Sequence, residues 1–180
     1  TNIPDVVWTS DSEGNSTFIS PNVERIYGYT PREICEKRHN LWLSRVHPDD
    51  LQRVEKSYRA LLNKNQPFDV EYRIKRKDGQ WIWLHDRSIA TYEKDGKKYA
   101  DGIFSDVTAR KNAEKELKAS EKKYKSLFDS VPAGIAITDF EGNILDGNHA
   151  IRQIMGYNNI EEVQSINIRD MYATPQEREE

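Results

Sequence analysis

Asp86 and Ser88 are the residues of this 180-residue chain whose types and spacing point most directly to chemistry. They lie in the run Trp81 to Tyr92, which reads as a long strand. Alternation gives that strand two faces. One carries Trp81, Trp83, His85 and Arg87; the other carries Ile82, Leu84, Asp86, Ser88 and Ala90. A carboxylate and a hydroxyl in line with aliphatic side chains are hydrogen-bonding groups on an apolar surface. If that face is buried, each needs a partner, because an unpaired buried polar group costs about 1–3 kcal/mol. Two readings follow. Either the pair binds a small ligand or ordered water, or it pairs with backbone and with Arg87-like neighbours around a small cavity filled by side chains.

Other chemistries lack their residues. There is no Gly-rich phosphate loop, no Ser/His/Asp set that can be placed, and no His pair at helical ligand spacing, so no catalytic or metal-binding residue is expected. The histidines are His39, His47, His85 and His149. His47 precedes Pro48-Asp49-Asp50, where local hydrogen bonding at a helix start is the expected role. The single cysteine, Cys35, excludes an internal disulfide and is expected as a small buried side chain in a helix. A lone thiol fits a reducing compartment, and a cytoplasmic location is expected. With 27 basic and 30 acidic residues the net charge is −3, which gives no global pull toward nucleic acid or an anionic membrane. No apolar run approaches the ~18 residues of a membrane span. Thr1-Asn2-Ile3-Pro4 has neither signal-peptide character nor an initiator Met, and the chain reads as a piece excised from a longer protein.

The elements around Asp86 belong to a repeat. A shift of 128 residues carries Ile26 to Ile154, and without a gap carries Asp11 to Asp139, Glu13-Gly14-Asn15 to Glu141-Gly142-Asn143, and Gly28-Tyr29 to Gly156-Tyr157. It also pairs Pro4 with Pro132 and Glu33 with Glu161. So long a period indicates two copies of a whole domain. In the first copy, Val6 to Thr9 and Thr17 to Ile19 form a hairpin around Asp11 to Asn15. Ser20 is expected to cap a helix opened by Pro21, which buries Val23, Ile26 and Tyr27 and stops at Gly28. Thr30 to Glu33 forms a capping box. Pro48 opens a helix to about Asn63, with Leu51, Val54, Tyr58, Leu61 and Leu62 at helical spacing. Three strands follow: Phe68 to Lys75, Trp81 to Tyr92, and Lys97 to Asp106, joined at Lys77-Asp78-Gly79 and Lys94-Asp95-Gly96.

From Thr108 the pattern becomes a charged helix. Arg110, Ala113, Leu117, Ser120, Tyr124, Leu127 and Val131 recur in a heptad rhythm, with Arg110 and Ser120 polar. This fits a parallel dimer helix with Ala113, Leu117 and Tyr124 at its seam, or an amphipathic helix on its own sheet. The second copy then supplies a strand at Gly134 to Thr138, a turn at Glu141 to Asn143 and a helix near Asn148 to Met155. Its last stretch, Met171 to Pro175, is similar to Val46 to Asp50. The long helix and three-strand meander have no counterpart after it, so the second copy is expected to leave strand edges open, and to be partly disordered or paired with another chain.

In this order and spacing, Ile26-Tyr27-Gly28-Tyr29-Thr30-Pro31-Arg32-Glu33, Val46-His47-Pro48-Asp49-Asp50, Tyr72-Arg73 with Lys77-Asp78-Gly79, Trp83, and Gly102-Ile103-Phe104-Ser105-Asp106-Val107-Thr108 resemble a PAS domain with its PAC-type C-terminal half. The resemblance covers residues 1 to 108 and resumes from Lys122. It implies an α+β fold: a five-stranded antiparallel sheet with helices on its concave face, a PAS/PAC domain over 1–107, a linker helix over 108–128, and the N-terminal part of a second PAS domain over 129–180. It also implies a sensory or interaction role inside a signalling protein, such as a histidine kinase or a cyclic-dinucleotide enzyme, with the output domain elsewhere in the parent chain.

The same resemblance turns the Asp86 face toward the helices. The candidate ligand-binding residues are then Ile26, Trp42, Val54, Tyr58, Tyr72, Ile74, Leu84, Asp86, Ser88 and Phe104. Flavin-binding relatives use a Cys in the segment corresponding to residues 40–46, where this chain has none, and haem-binding relatives commonly use a His on the long helix, which also has none. Both cofactors are disfavoured, with haem through His39 or His85 left open, and a small organic ligand is expected if anything binds. The Trp81/Trp83 face becomes the outer surface that packs on a flanking helix or second subunit. Asp106 is expected to tie the last strand to the helix capped by Thr108, so that a shift in the sheet repositions that helix. Neither nucleic acid nor direct membrane contact is expected; a homodimer is.

Overall fold

The computed structural model describes residues 5–36 and 40–171. Thr1 to Pro4, His39 and the Tyr172 to Pro175 stretch lie outside the described residues. The chain divides into two compact units, 1–113 and 114–180.

The first unit is built on a five-stranded antiparallel sheet in the order β2-β1-β5-β4-β3. Strands β1 (Val6–Asp11) and β2 (Ser16–Ile19) form a hairpin. Asp11 fixes its turn: Oδ1 accepts the amides of Glu13 and Asn15, each at 2.9 Å, and Oδ2 accepts Asn15 Nδ2 at 2.9 Å. Strands β3 (Asp69–Lys75), β4 (Trp81–Lys94) and β5 (Lys97–Asp106) form the expected meander. Asp95 and Gly96, both at positive φ, make the two-residue turn between β4 and β5, the geometry that suits the twist of paired strands. Strand β1 then pairs with β5, with Val6 opposite Phe104 and Trp8 opposite Gly102. Val6, Trp8, Val70, Tyr72, Ile74, Ile82, Leu84, Asp86 and Phe104 all point to the buried face. The alternation of β4 ends at a bulge between Ser88 and Ala90, which leaves Ala90 exposed rather than on the core face.

Helices α1 (Val23–Tyr27), α2 (Pro31–Glu36), α3 (Asn40–Leu43) and α4 (Pro48–Lys64) cover that face. Ser20 does not cap α1. Its hydroxyl accepts the Val7 amide at 2.9 Å and donates to Asn22 Oδ1, because it faces the β1–β2 hairpin instead. Thr30 and Glu33 do form the capping box: the Thr30 amide reaches Glu33 Oε2 at 2.9 Å, and the Glu33 amide reaches Thr30 Oγ1 at 3.2 Å. Cys35, on α2, is partly rather than fully buried. His47 caps α4 through Nδ1, which accepts the Asp49 amide at 3.3 Å. Two residues after Pro48, the buried Asp50 carboxylate accepts the Arg73 amide at 3.0 Å and Nε at 2.9 Å, clasping α4 to β3. Burial raises the Asp50 pKa, but the hydrogen bonds and charge of Arg73 outweigh it and hold the carboxyl below its usual range.

Helix α5 (Thr108–Ser130) runs two residues beyond the expected linker and buries none of its residues. Leu117, Tyr124 and Leu127 are all exposed. Among the described residues, no helix is long and apolar enough to cross a membrane.

The second unit contains β6 (Ala136–Thr138), β7 (Ile144–Gly147), α6 (His149–Met155), α7 (Ile160–Gln164) and a 3-10 turn over Ile168–Met171. It repeats the first unit's local chemistry. Asp139 Oδ1 accepts the amides of Glu141 and Asn143, as Asp11 does for Glu13 and Asn15. The position of Ser20 is taken by Asn148, which is fully buried. Its Oδ1 accepts the amides of Ile135 (2.9 Å) and Ile151 (3.0 Å), and its Nδ2 is shared among the carbonyls of Phe128, Val131 and Ala133. Asn148→Ala leaves these backbone groups unpaired and is expected to cost this unit about 2–4 kcal/mol. Hydrogen exchange checks it: amides from 131 to 165 should exchange faster, with residues 5–110 unchanged.

Candidate functional site

Between the sheet and helices α1–α4 lies a cavity of about 60 Å³. One water requires about 10–15 Å³ on this scale, so there is room for several water-sized groups. Asp86 is the carboxylate in its wall, and its side chain is held by residues distant in sequence. Trp8 Nε1 donates to Oδ1 at 2.8 Å. Tyr72 OH donates to Oδ2 at 2.9 Å and accepts Trp42 Nε1 at 2.8 Å. The network therefore joins β1, β4, β3 and α3. To reach Asp86 the Trp8 indole crosses β5 over Gly102, where an added Cβ would lie 2.2 Å from an indole carbon and 2.5 Å from the Arg87 carbonyl.

Burial dominates the Asp86 electrostatics and pushes its pKa up to about 7, against the opposing hydrogen bonds from Tyr72 and Trp8. Ser10 and Tyr58 pair through their hydroxyls at 2.6 Å, and burial raises the Tyr58 phenol to about 12. Tyr27 also lines the cavity, yet its buried hydroxyl has no hydrogen-bond partner among the described residues. The remaining wall is apolar apart from Ser16, and sets aliphatic side chains beside Phe68 and Phe104.

Seven of the ten expected residues come together here: Trp42, Tyr58, Tyr72, Ile74, Leu84, Asp86 and Phe104. Ile26 and Val54 are buried in the core behind the wall. Ser88 does not join Asp86. Next to the bulge, its hydroxyl accepts the Phe68 amide at 3.0 Å and completes the edge of the β3–β4 ladder. Asp86 is paired with an indole and a phenol, and the backbone amide of Arg87 also supports its carboxylate, which is part of the expected backbone pairing. Trp8, Tyr27 and Phe68 also line the cavity and were not among the expected residues. The alternation Val6, Trp8, Ser10 marks β1's inward face, but which strand it meets is not local information. His85 stands on the opposite face of β4, where Nε2 lies 2.7 Å from Asp69 Oδ1. Among the described residues, no three of His, Cys, Asp or Glu gather as metal ligands.

The outer face meets the start of α5. Asp106 Oδ1 accepts the Thr108 amide at 2.8 Å. Thr108 is not itself the cap: its hydroxyl accepts the Trp83 amide at 2.9 Å, and the Val107 amide donates to the Trp83 carbonyl at 2.9 Å. Lys111 lies over the Trp83 ring at 5.3 Å and pairs with Glu71 at 2.5 Å, while Arg110 pairs with the same carboxylate. Lys111 first, and Arg110 with it, hold the Glu71 carboxyl below its usual range. Trp81 is partly open and in contact with Lys75 and His47.

Comparison with known proteins finds one family match within each of the two units. Residues 16–103 match the family described as PAS fold, and residues 122–180 match the family described as PAS domain. An uncharacterised protein of Sinorhizobium fredii is 31% identical over 77% of this chain and 16% of its own length. The sensor protein FixL of Bradyrhizobium diazoefficiens is 27% identical over 72% of this chain and 26% of its own. The chain thus spans about a sixth to a quarter of these relatives. A sensory box histidine kinase/response regulator from Burkholderia thailandensis superposes with a TM-score of 0.54 at 28% identity, covering 68% of this chain and 91% of that one.

Proposed function

Because this chain belongs to the PAS family, whose matched members include sensor proteins and a histidine kinase, we propose that its first unit senses a small ligand in the Asp86 cavity and relays the response through α5. The output domain is a histidine kinase or cyclic-dinucleotide enzyme in the same parent chain, acting in the cytoplasm. One observation carries the reading. Strand β4 has Asp86 on its cavity face, and three residues earlier Trp83 holds the first turn of α5. A displacement of β4 on ligand binding therefore reaches α5 directly, and the exposed Leu117 and Tyr124, with Ala113, form the seam of a dimer through which the helix transmits it. No resident flavin or haem is proposed, since the expected thiol and long-helix His are missing and His85 points away from the cavity. No nucleic-acid partner and no direct membrane contact are proposed.

A second reading is a ligandless dimerisation and relay module. It is favoured by the pairing of both Asp86 oxygens with side chains of the same chain. Native mass spectrometry of the purified chain separates the two: co-purified mass that is lost on denaturation supports sensing, and a bare dimer supports relay alone. The relay has its own test. Asp106→Ala removes the bond to the Thr108 amide and is expected to raise exchange of the first-turn α5 amides at least tenfold, with the β3–β4 amides unchanged. It is also expected to abolish signal-dependent output in the full-length parent. Normal output from that variant would overturn the relay.

A further inference from the structure

We propose that the cavity of the first unit selects a small organic cation, a protonated alkylamine or an equivalent N–H cation of about four heavy atoms. The inference rests on the sensing reading above and adds the chemical class of the ligand.

The wall argues charge first. Among the described lining residues Asp86 is the one carboxylate, and there is no Lys, Arg or His. An anion would meet a buried negative group with no compensating cation. A neutral ligand would leave the desolvation of Asp86 unrelieved. A cation pairs with it. A carboxylate offers about four lone-pair sites; Trp8 and Tyr72 fill one on each oxygen and the Arg87 backbone amide takes another share, so acceptor capacity remains. The aromatic side chains argue the same way: Trp42, Tyr58, Phe68 and Phe104 all line the cavity, and an aromatic ring that meets a desolvated cation with its face attracts it. The buried, unpartnered hydroxyl of Tyr27 is a second independent observation: it belongs to a lining residue and supplies an acceptor for a ligand N–H. The volume of about 60 Å³ sets the size. The elevated pKa of Asp86 adds a consequence: a cation pulls the carboxyl toward its ionised form, so binding near neutral pH releases protons.

The test uses the whole 180-residue chain and three probes of four heavy atoms each: isopropylammonium, isopropanol and acetate. Calorimetry at pH 8, where Asp86 is mostly ionised, is expected to show isopropylammonium binding at least tenfold more tightly than isopropanol, and no binding of acetate. In Asp86→Asn, whose fold is checked by circular dichroism, the preference for the cation is expected to vanish. Tyr27→Phe is expected to weaken isopropylammonium several-fold while the preference over isopropanol persists. At pH 7 the binding enthalpy should vary with buffer ionisation enthalpy, as proton release requires. Equal affinity for isopropanol and isopropylammonium would overturn the cationic class and leave a ligand cavity standing. A preference that survives Asp86→Asn would overturn the role of Asp86. Failure of all three probes to bind at millimolar concentration would overturn the cation and weigh against sensing in this cavity, leaving the relay reading.

Discussion

Raising the pH from 5 to 8 is expected to weaken the first unit by about 2–4 kcal/mol, and Asp86→Asn is expected to remove most of that loss. The folded state holds the Asp86 pKa near 7, whereas the free side chain titrates at 3.8. Between those values the unfolded chain has released its proton and the folded chain has kept it. The raised pKa thus contributes stability that is fully present below pH ~4 and is lost as pH rises through ~7, at about 1.4 kcal/mol for each pH unit separating the two values. Asp50 has the opposite sign. Its depressed pKa adds stability above the usual carboxylate range, which is lost as pH falls through the folded value. For these two groups together, stability should therefore peak at pH ~4, where Asp50 has gained its contribution and Asp86 has not yet begun to lose its own. Urea titrations of the wild type and Asp86→Asn at pH 5 and 8 check this. A variant with the same fall as the wild type would remove Asp86 as the source.

Gly102→Ala is the second large effect, expected to cost about 3–5 kcal/mol. The methyl group would overlap the Trp8 indole and the Arg87 carbonyl, and neither contact is the end of a flexible chain. Overpacking of this kind costs about 1–3 kcal/mol. Expelling the indole also breaks its bond to Asp86, and hydrogen bonds to charged groups contribute about 1.5–3 kcal/mol. Denaturant titration measures the loss. In the NMR spectrum the indole N–H resonance of Trp8, shifted by the carboxylate, should move toward the position of a solvent-exposed indole. Trp8→Leu in the same chain should recover part of the stability, since the overlap with the ring disappears and that with the Arg87 carbonyl remains.

Local rules carried much of the fold in the sequence. The Thr30–Glu33 capping box, His47 ahead of Pro48, and the period-two runs of β3 and β4 each depend on residues within a few positions of one another, and the structure places them as expected. Ser20 shows the limit: a Ser before a Pro fits an N-cap, but a strand amide thirteen residues away takes its hydroxyl. The candidate site was legible to the depth of one strand. Alternation put Asp86 on the inner face with Leu84 and Ile82. Its partners, Trp8 and Tyr72, come from strands 78 and 14 residues away, and no spacing rule names them. Ser88 was misplaced because a bulge has no strong local signature in Ser88-Ile89-Ala90.

The pairing of β1 with β5 also sets the order in which this protein can be made. Strand β1 leaves the ribosome before the other strands of its sheet but cannot acquire its second neighbour until nearly the whole unit has followed, so the sheet stays open while the unit is made. Soon after β5 emerges comes a second segment of the same design, Ile135 to Asp139, with the same aspartate-clasped turn. Repeats of this kind are prone to exchanging strands. Here the two candidates for β5 are not equivalent. The position matching Trp8 is Ala136, which has no indole to lie across Gly102 and no donor for Asp86. The bond that shapes the cavity thus also distinguishes β1 from the matching segment of the second copy as a neighbour for β5.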